Sequence, residues 1–334
     1  MKEALHYKKL KNRLVQCNIC PRNCIIKPKE YGFCKARENN NGKLISKVYS
    51  APCSVAIDPI EKKPLFHFLP ASSSYSIGTA GCNLRCKFCQ NWSISQAIPK
   101  DVPFIDLPPE KIVKEALTNN CKSIAYTYTE PTVFYEYVLD TAKLARKKGL
   151  KNICITNAFI NQEPLRELYK YIDAANIDLK GFTNKYYKEI TGAWLQPVLD
   201  TIKTLYKMGV WLELTNLIVP SLNDDLKIIK KMCEWVKNEL SPEVPLHFSR
   251  FFPDYKMRDL YPTPEKTLIK AGETAKKVGL NYVYIGNIML PEWGNTYCQK
   301  CKELVIERRW FEVIQNKIKN NKCKCGEKIV GVWK

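Results

Sequence analysis

Three cysteines fall within eight residues, in the run Cys82-Asn-Leu-Arg-Cys86-Lys-Phe-Cys89. Thiolates this close together can reach one metal centre. A structural zinc site takes four protein ligands, so three would hold zinc incompletely. A [4Fe–4S] cubane has four irons, and three thiolates leave one iron free to chelate a small molecule and pass it an electron. The spacing, CxxxCxxC, also differs from the CxxCxxC run of bacterial ferredoxins.

Two other cysteine groups flank this one. Cys298 and Cys301, followed by Cys323 and Cys325, form two knuckles that look like a zinc ribbon, with Val305–Ile306 and Phe311–Ile314 as intervening strands. The second knuckle, Cys323-Lys-Cys325, is one residue shorter than usual. Near the N-terminus, Cys17, Cys20, Cys24 and Cys34 place four thiolates within eighteen residues. Zinc and an auxiliary iron–sulfur cluster both fit there, and the polar surrounding sequence favours zinc. Cys53, Cys121, Cys154 and Cys233 stand singly in mostly apolar settings and read as small core residues.

Composition narrows the remaining choices. The chain has 334 residues and 15 cysteines, too sparse for a disulfide scaffold, and free thiols suit a reducing, cytoplasmic setting. No apolar run reaches the ~18 residues of a membrane span, and Met1–Leu14 lacks the order of a signal peptide. Three histidines (His6, His67 and His247) leave little for His-based zinc hydrolysis, and GxxxxGK[ST], GxGxxG, GxSxG and HExxH are absent. The net charge of +20 comes from dispersed lysines and reads as a solvated surface, with nucleic-acid binding left open. Metal-bound thiolates would lower it to about +15.

The elements that must position these cysteines alternate. Candidate strands are Ser73–Ala80, Ser123–Thr129, Asn152–Thr156, Ala175–Leu179, Trp211–Ile218, Leu246–Phe251 and Tyr282–Ile285. Between them lie candidate helices Pro109–Asn119, Val133–Lys148, Glu163–Ile172, Leu199–Met208, Asp225–Leu240 and Pro264–Val278. Such βα repeats predict a parallel α/β sheet, doubly wound or an open (β/α) barrel, with ligands at the C-terminal strand ends. The first strand runs straight into Cys82. We divide the chain into a Cys-rich extension (1–70), a partial (β/α)6-type barrel (71–290) and a zinc-ribbon-like tail (291–334).

The CxxxCxxC run, with Phe88 as the aromatic before its last cysteine, resembles the signature of the radical S-adenosylmethionine (radical SAM) enzymes. The resemblance implies that SAM chelates the open iron and that one electron cleaves it to a 5′-deoxyadenosyl radical, which takes a hydrogen atom from substrate. It further implies that Thr129 and Glu130, where the family often has Gly-Gly-Glu-Pro, lie near the SAM amino group, with Tyr128 and Thr129 replacing the glycines. Thr156 and Asn157 are implied to face the SAM carboxylate or ribose. Asp178-Leu-Lys180 resembles the pyruvate formate-lyase activating enzyme branch, where the pair lies close to SAM and substrate; period-2 alternation puts both charges on one strand face. Glu213, Asn216, His247, Arg250 and Asn287 are further candidates for the cavity.

Across nearly the whole chain, including Cys17–Cys24, Asp58–Phe68 and Asn295–Trp333, the sequence is similar to the AmmeMemoRadiSam-system radical SAM proteins. This similarity implies Memo-like and AMMECR-like partners and a reduced ferredoxin- or flavodoxin-type electron donor. Three functions follow as expectations: hydrogen abstraction from a protein or peptide, modification of a small molecule or RNA base, and non-enzymatic electron transfer or metal storage.

Overall fold

The computed structural model describes residues 1–334. Its centre is an eight-stranded sheet: β1 (Ser54–Pro59), β2 (Ser73–Gly78), β3 (Ser123–Tyr126), β4 (Lys151–Thr156), β5 (Ala174–Asp178), β6 (Trp211–Ile218), β7 (Leu246–Arg250) and β8 (Val283–Gly286). The strands lie in sequence order across the sheet. All neighbours are parallel except β1 and β2, which pair antiparallel from Ser54 opposite Gly78 to Pro59 opposite Ser73. The order lacks the reversal of a doubly wound sheet. Six longer helices alternate with the parallel strands: α1 (Pro109–Thr118), α2 (Tyr135–Lys147), α3 (Gln162–Leu168), α4 (Leu195–Lys207), α5 (Leu226–Glu239) and α6 (Glu265–Val278).

Local chemistry explains most boundaries. Asp225 caps α5, its carboxylate accepting from the Lys227 amide at 2.8 Å. Gly279 ends α6 at φ +101°. Helix α4 starts four residues before the expected Leu199, because Pro197 falls in the first turn, where its missing N–H costs nothing. Strand β3 stops at Tyr126 rather than Thr129, since Tyr128 turns left-handed at φ +65°. Strand β1 was not expected; it comes from the stretch assigned to the N-terminal extension.

That extension packs into the main core. Ala4, Val15, Cys17, Cys20 and Ile26 belong to the same buried cluster as the sheet and helices. Arg37 and Glu136 of α2, both fully buried, make a bidentate ion pair at 3.0 and 2.8 Å. Removing one partner of such a pair strands a buried charge, at a cost of about 3–5 kcal/mol. At the other terminus, Leu304–Arg309 and Glu312–Asn316 form the expected antiparallel strands, joined by Thr296–Tyr297.

The N-terminal ends of the parallel strands are closed by Phe66 and His67. Their amides donate to the Glu213 carboxylate at 3.0 and 2.7 Å. His247 bonds the same carboxylate at 2.7 Å, and His67 bonds Tyr284 at 2.6 Å and the Val330 carbonyl at 2.7 Å. Burial pushes the His67 imidazole down to about 4. It titrates near 6.5 when unfolded, so between these values the unfolded chain binds the extra proton and stability falls as pH falls. The loss from this group should reach about 2 kcal/mol by pH 5. Denaturant titrations at pH 7.5 and pH 5 should show a smaller pH difference in His67→Gln than in the wild type. No helix is long and apolar enough to cross a membrane.

Candidate active site

Alternation and strand direction gather polar groups at the C-terminal end of the sheet. A cleft of about 250 Å³ is lined by Cys82, Cys86 and Cys89, by Thr129 and Glu130 after β3, by Asn157 after β4, and by Asp178 and Lys180 around the end of β5. Phe88 lines it as well. Thr156 lies behind the wall, its hydroxyl donating to Glu130 at 2.8 Å.

Ahead of the cysteine loop, the end of β2 runs close against its neighbour. A Cβ at Gly78 would sit 2.7 Å from the Thr127 carbonyl, so only glycine fits. Two donors point at the Cys82 sulfur: the Leu84 amide at 3.4 Å and Asn157 Nδ2 at 3.9 Å. Cys89 Sγ lies 3.3 Å from the Ser95 hydroxyl. Burial pushes the Cys82 and Cys86 thiols up, the latter to about 12, although Lys180 acts against the shift at Cys86. Thiolates at these positions therefore need a bound cation to balance them. Three sulfur donors at a cleft mouth, with N–H groups aimed at one of them, fit an iron–sulfur centre.

Glu130 is buried and occupied by the protein itself. Its Oε1 accepts from the Thr132 amide (3.0 Å), the Thr132 hydroxyl (2.6 Å) and Thr156, and its Oε2 accepts from the Asn157 amide at 2.8 Å. Burial raises its pKa against these bonds. The carboxylate fastens the β3 and β4 ends together and leaves Oε2 with acceptor capacity toward the cleft. Lys180 Nζ donates to Asp178 at 2.8 Å and stands 5.7 Å from the Phe88 ring. Burial works against the Lys180 charge, but Asp178 and Cys86 outweigh it and raise its pKa.

Sequence reading missed a brace beside the cleft. Tyr128 occupies the left-handed conformation that glycine adopts freely, which costs about 1–2 kcal/mol. Its phenol donates to Asp58 at 2.5 Å, and Lys63 Nζ sits 4.6 Å from its ring. Lys63 and Lys62 also bond Asp58, at 2.5 and 2.9 Å. Against burial, these three donors hold the Asp58 carboxyl well below the usual range. Asn91 Nδ2 donates to the Tyr128 carbonyl at 2.7 Å, tying the brace to the cysteine loop.

Residues 76–236, which carry the cysteine loop and the strand ends just described, match the Radical SAM superfamily. An uncharacterized protein of Methanocaldococcus jannaschii is 51% identical over 98% of this chain and 99% of its own length. A pyruvate formate-lyase-activating enzyme of Clostridium pasteurianum is 26% identical over 54% of this chain and 80% of its own. The chain belongs to the radical SAM superfamily. It is a radical SAM enzyme related to activating enzymes, and the superfamily implies a [4Fe–4S] cluster and SAM as cofactors. A domain of the pyruvate-formate lyase-activating enzyme of Bacteroides vulgatus is 17% identical, covering 49% of this chain and 99% of its own, with a TM-score of 0.44.

Other expected residues of this radical SAM enzyme lie elsewhere. Glu213 and His247 sit at the opposite end of the sheet, bonded to each other; Thr215, Leu217 and Ser249 reach the cleft from the same strands. Asn216 Nδ2 donates to the Leu179 carbonyl, Arg250 to the Thr263 carbonyl, and Asn287 to the Arg250 carbonyl. At the C-terminus, Cys298, Cys301, Cys323 and Cys325 bring their sulfurs within 4.8 Å of one another. Cys17, Cys20, Cys24 and Cys34 line a separate cavity, in the core rather than in the polar setting their sequence suggested.

Proposed function

We propose that Cys82, Cys86 and Cys89 hold a [4Fe–4S] cluster through three thiolates in an open (β/α) barrel, and that the enzyme takes a hydrogen atom from a protein or peptide. The supporting observation is the single cleft in which this loop meets polar residues from successive strand ends. Bound there, the cluster and SAM supply one-electron cleavage of the sulfonium to a 5′-deoxyadenosyl radical.

The chain's own residues hold and shape this site. The Leu84 and Asn157 donors bond the Cys82 sulfur and fix its orientation. Glu130 fixes Asn157 through its amide and offers Oε2 to an ammonium group. Lys180, kept charged by Asp178, presents a cation beside Cys86 that suits a carboxylate. The Asp58 brace holds Tyr128 and the adjoining turn in place.

The C-terminal four cysteines would bind a structural zinc, since the Cys298–Cys325 and Cys301–Cys323 sulfurs each lie 3.6 Å apart and tetrahedral zinc–thiolate bonds place sulfurs about 3.8 Å apart. A reduced ferredoxin- or flavodoxin-type protein would supply the electron. Memo-like and AMMECR-like proteins are the partners to try first as substrates.

Relatives named as activating enzymes favour a macromolecular substrate over a small one. The experiment separates these by isotope. The anaerobic enzyme, SAM and a reductant are incubated with deuterated cell extract split into protein, RNA and low-mass fractions. Deuterium should enter 5′-deoxyadenosine from the protein fraction and disappear after protease treatment. Transfer only from the low-mass or RNA fraction would replace the protein reading.

A further inference from the structure

The three cysteine groups differ in how closely their sulfurs approach. The C-terminal four lie within 4.8 Å of one another, whereas no three sulfurs of the N-terminal four come that close, nor do those of Cys82, Cys86 and Cys89. Thiolates on one tetrahedral zinc stand about 3.8 Å apart. Thiolates on a cubane stand on the order of 6 Å apart, because each binds a different iron corner.

Wide spacing alone would mean little if the N-terminal cysteines faced different ways. They do not. Cys17, Cys20, Cys24 and Cys34 all line one small cavity, which a water-sized sphere fits. A four-thiolate zinc site leaves no such space, since its sulfurs close over the ion. Arg37 lines the same cavity. Its two terminal nitrogens pair with Glu136, but its Nε is buried with no partner. A buried N–H without an acceptor is costly, and a thiolate or sulfide of an anionic cluster would accept from it.

The cavity adjoins the active-site loop. A Cβ at Gly81, just before Cys82, would run into the Cys34 carbonyl. Asn83, just after Cys82, lines the cavity, and its carbonyl accepts from Arg22 Nε at 2.7 Å.

We propose that Cys17, Cys20, Cys24 and Cys34 hold a second [4Fe–4S] cluster, ligated at every iron and set beside the Cys82 loop. With no open iron it does not chelate SAM. Its chemistry is one-electron exchange: an external reduced ferredoxin- or flavodoxin-type donor loses one electron, and the cluster passes from the 2+ to the 1+ state. Four thiolates on a 2+ core carry a net charge of about −2, and Arg22 and Arg37 face it.

The test is made on the full chain carrying Cys82→Ala, Cys86→Ala and Cys89→Ala together, purified without oxygen. It should retain about four irons and about four sulfides per chain. The reduced protein should give a paramagnetic signal that added SAM leaves unchanged. Cys20→Ser/Cys24→Ser should lose those irons and keep the zinc content of the wild type. A triple variant without iron overturns the proposal, whether zinc replaces it or not. Failure of the active-site reading looks different, because wild type and triple variant would then hold the same iron. If the double serine variant does not fold, the iron content of the triple variant still decides.

Discussion

Cys86→Ala, reconstituted anaerobically, is expected to form no detectable 5′-deoxyadenosine from SAM, a loss of at least about a thousandfold, or about 4 kcal/mol in the barrier. Two remaining thiolates leave a second iron unanchored, and Cys86 is a thiol that the Asp178–Lys180 pair influences electrostatically. Iron should fall by about four per chain. Cys233→Ala provides the control: its thiol is buried on α5 and is not among the residues that line the cleft. It should keep iron and activity and lose only packing, about 1 kcal/mol for a small buried group. Iron analysis and product chromatography on the two proteins decide between them. Equal activity in both would remove the cysteine loop from the chemistry.

Glu130→Gln should be the most damaging near-isosteric change at the site. The carboxylate receives four donors, three at Oε1 and one at Oε2. An amide offers one acceptor oxygen and one donor group, so either orientation sets N–H against N–H or O–H. Losing charge-assisted bonds and leaving a buried donor unpaired costs about 3 kcal/mol. Denaturant unfolding under anaerobic conditions should show this loss. SAM affinity should fall about tenfold as well, because Asn157 and Thr156 lose their anchor. Wild-type stability in this variant would show that the four bonds contribute little.

The cysteine loop was legible because its information is local: three residues of one type within eight, at the end of a strand-like run. The Asp178–Lys180 pairing was legible because the two lie two positions apart, although β5 ends at Asp178 and the alternation expected to carry both charges stops short of Lys180. Alternation gives the face but not the depth. Glu213 shares a face with Thr215 and Leu217, yet it lies toward the start of β6 and meets Phe66, His67 and His247 at the closed end of the sheet. The brace was illegible because Asp58 and Tyr128 are 70 positions apart and meet only once β1 joins the sheet. The left-handed turn at Tyr128 is not marked by the residue itself, as tyrosine rarely adopts it. Around Cys17 and Cys20 the polar neighbours masked a segment whose cysteines point into the core.

The proposed function requires an open coordination position on a cluster held by Cys82, Cys86 and Cys89. Electron paramagnetic resonance of the reduced full chain, recorded before and after SAM is added, tests it most directly. The component that vanishes in Cys86→Ala should change shape and position when SAM binds. If that component is identical with and without SAM, the iron is not open and the enzyme does not bind SAM at this cluster.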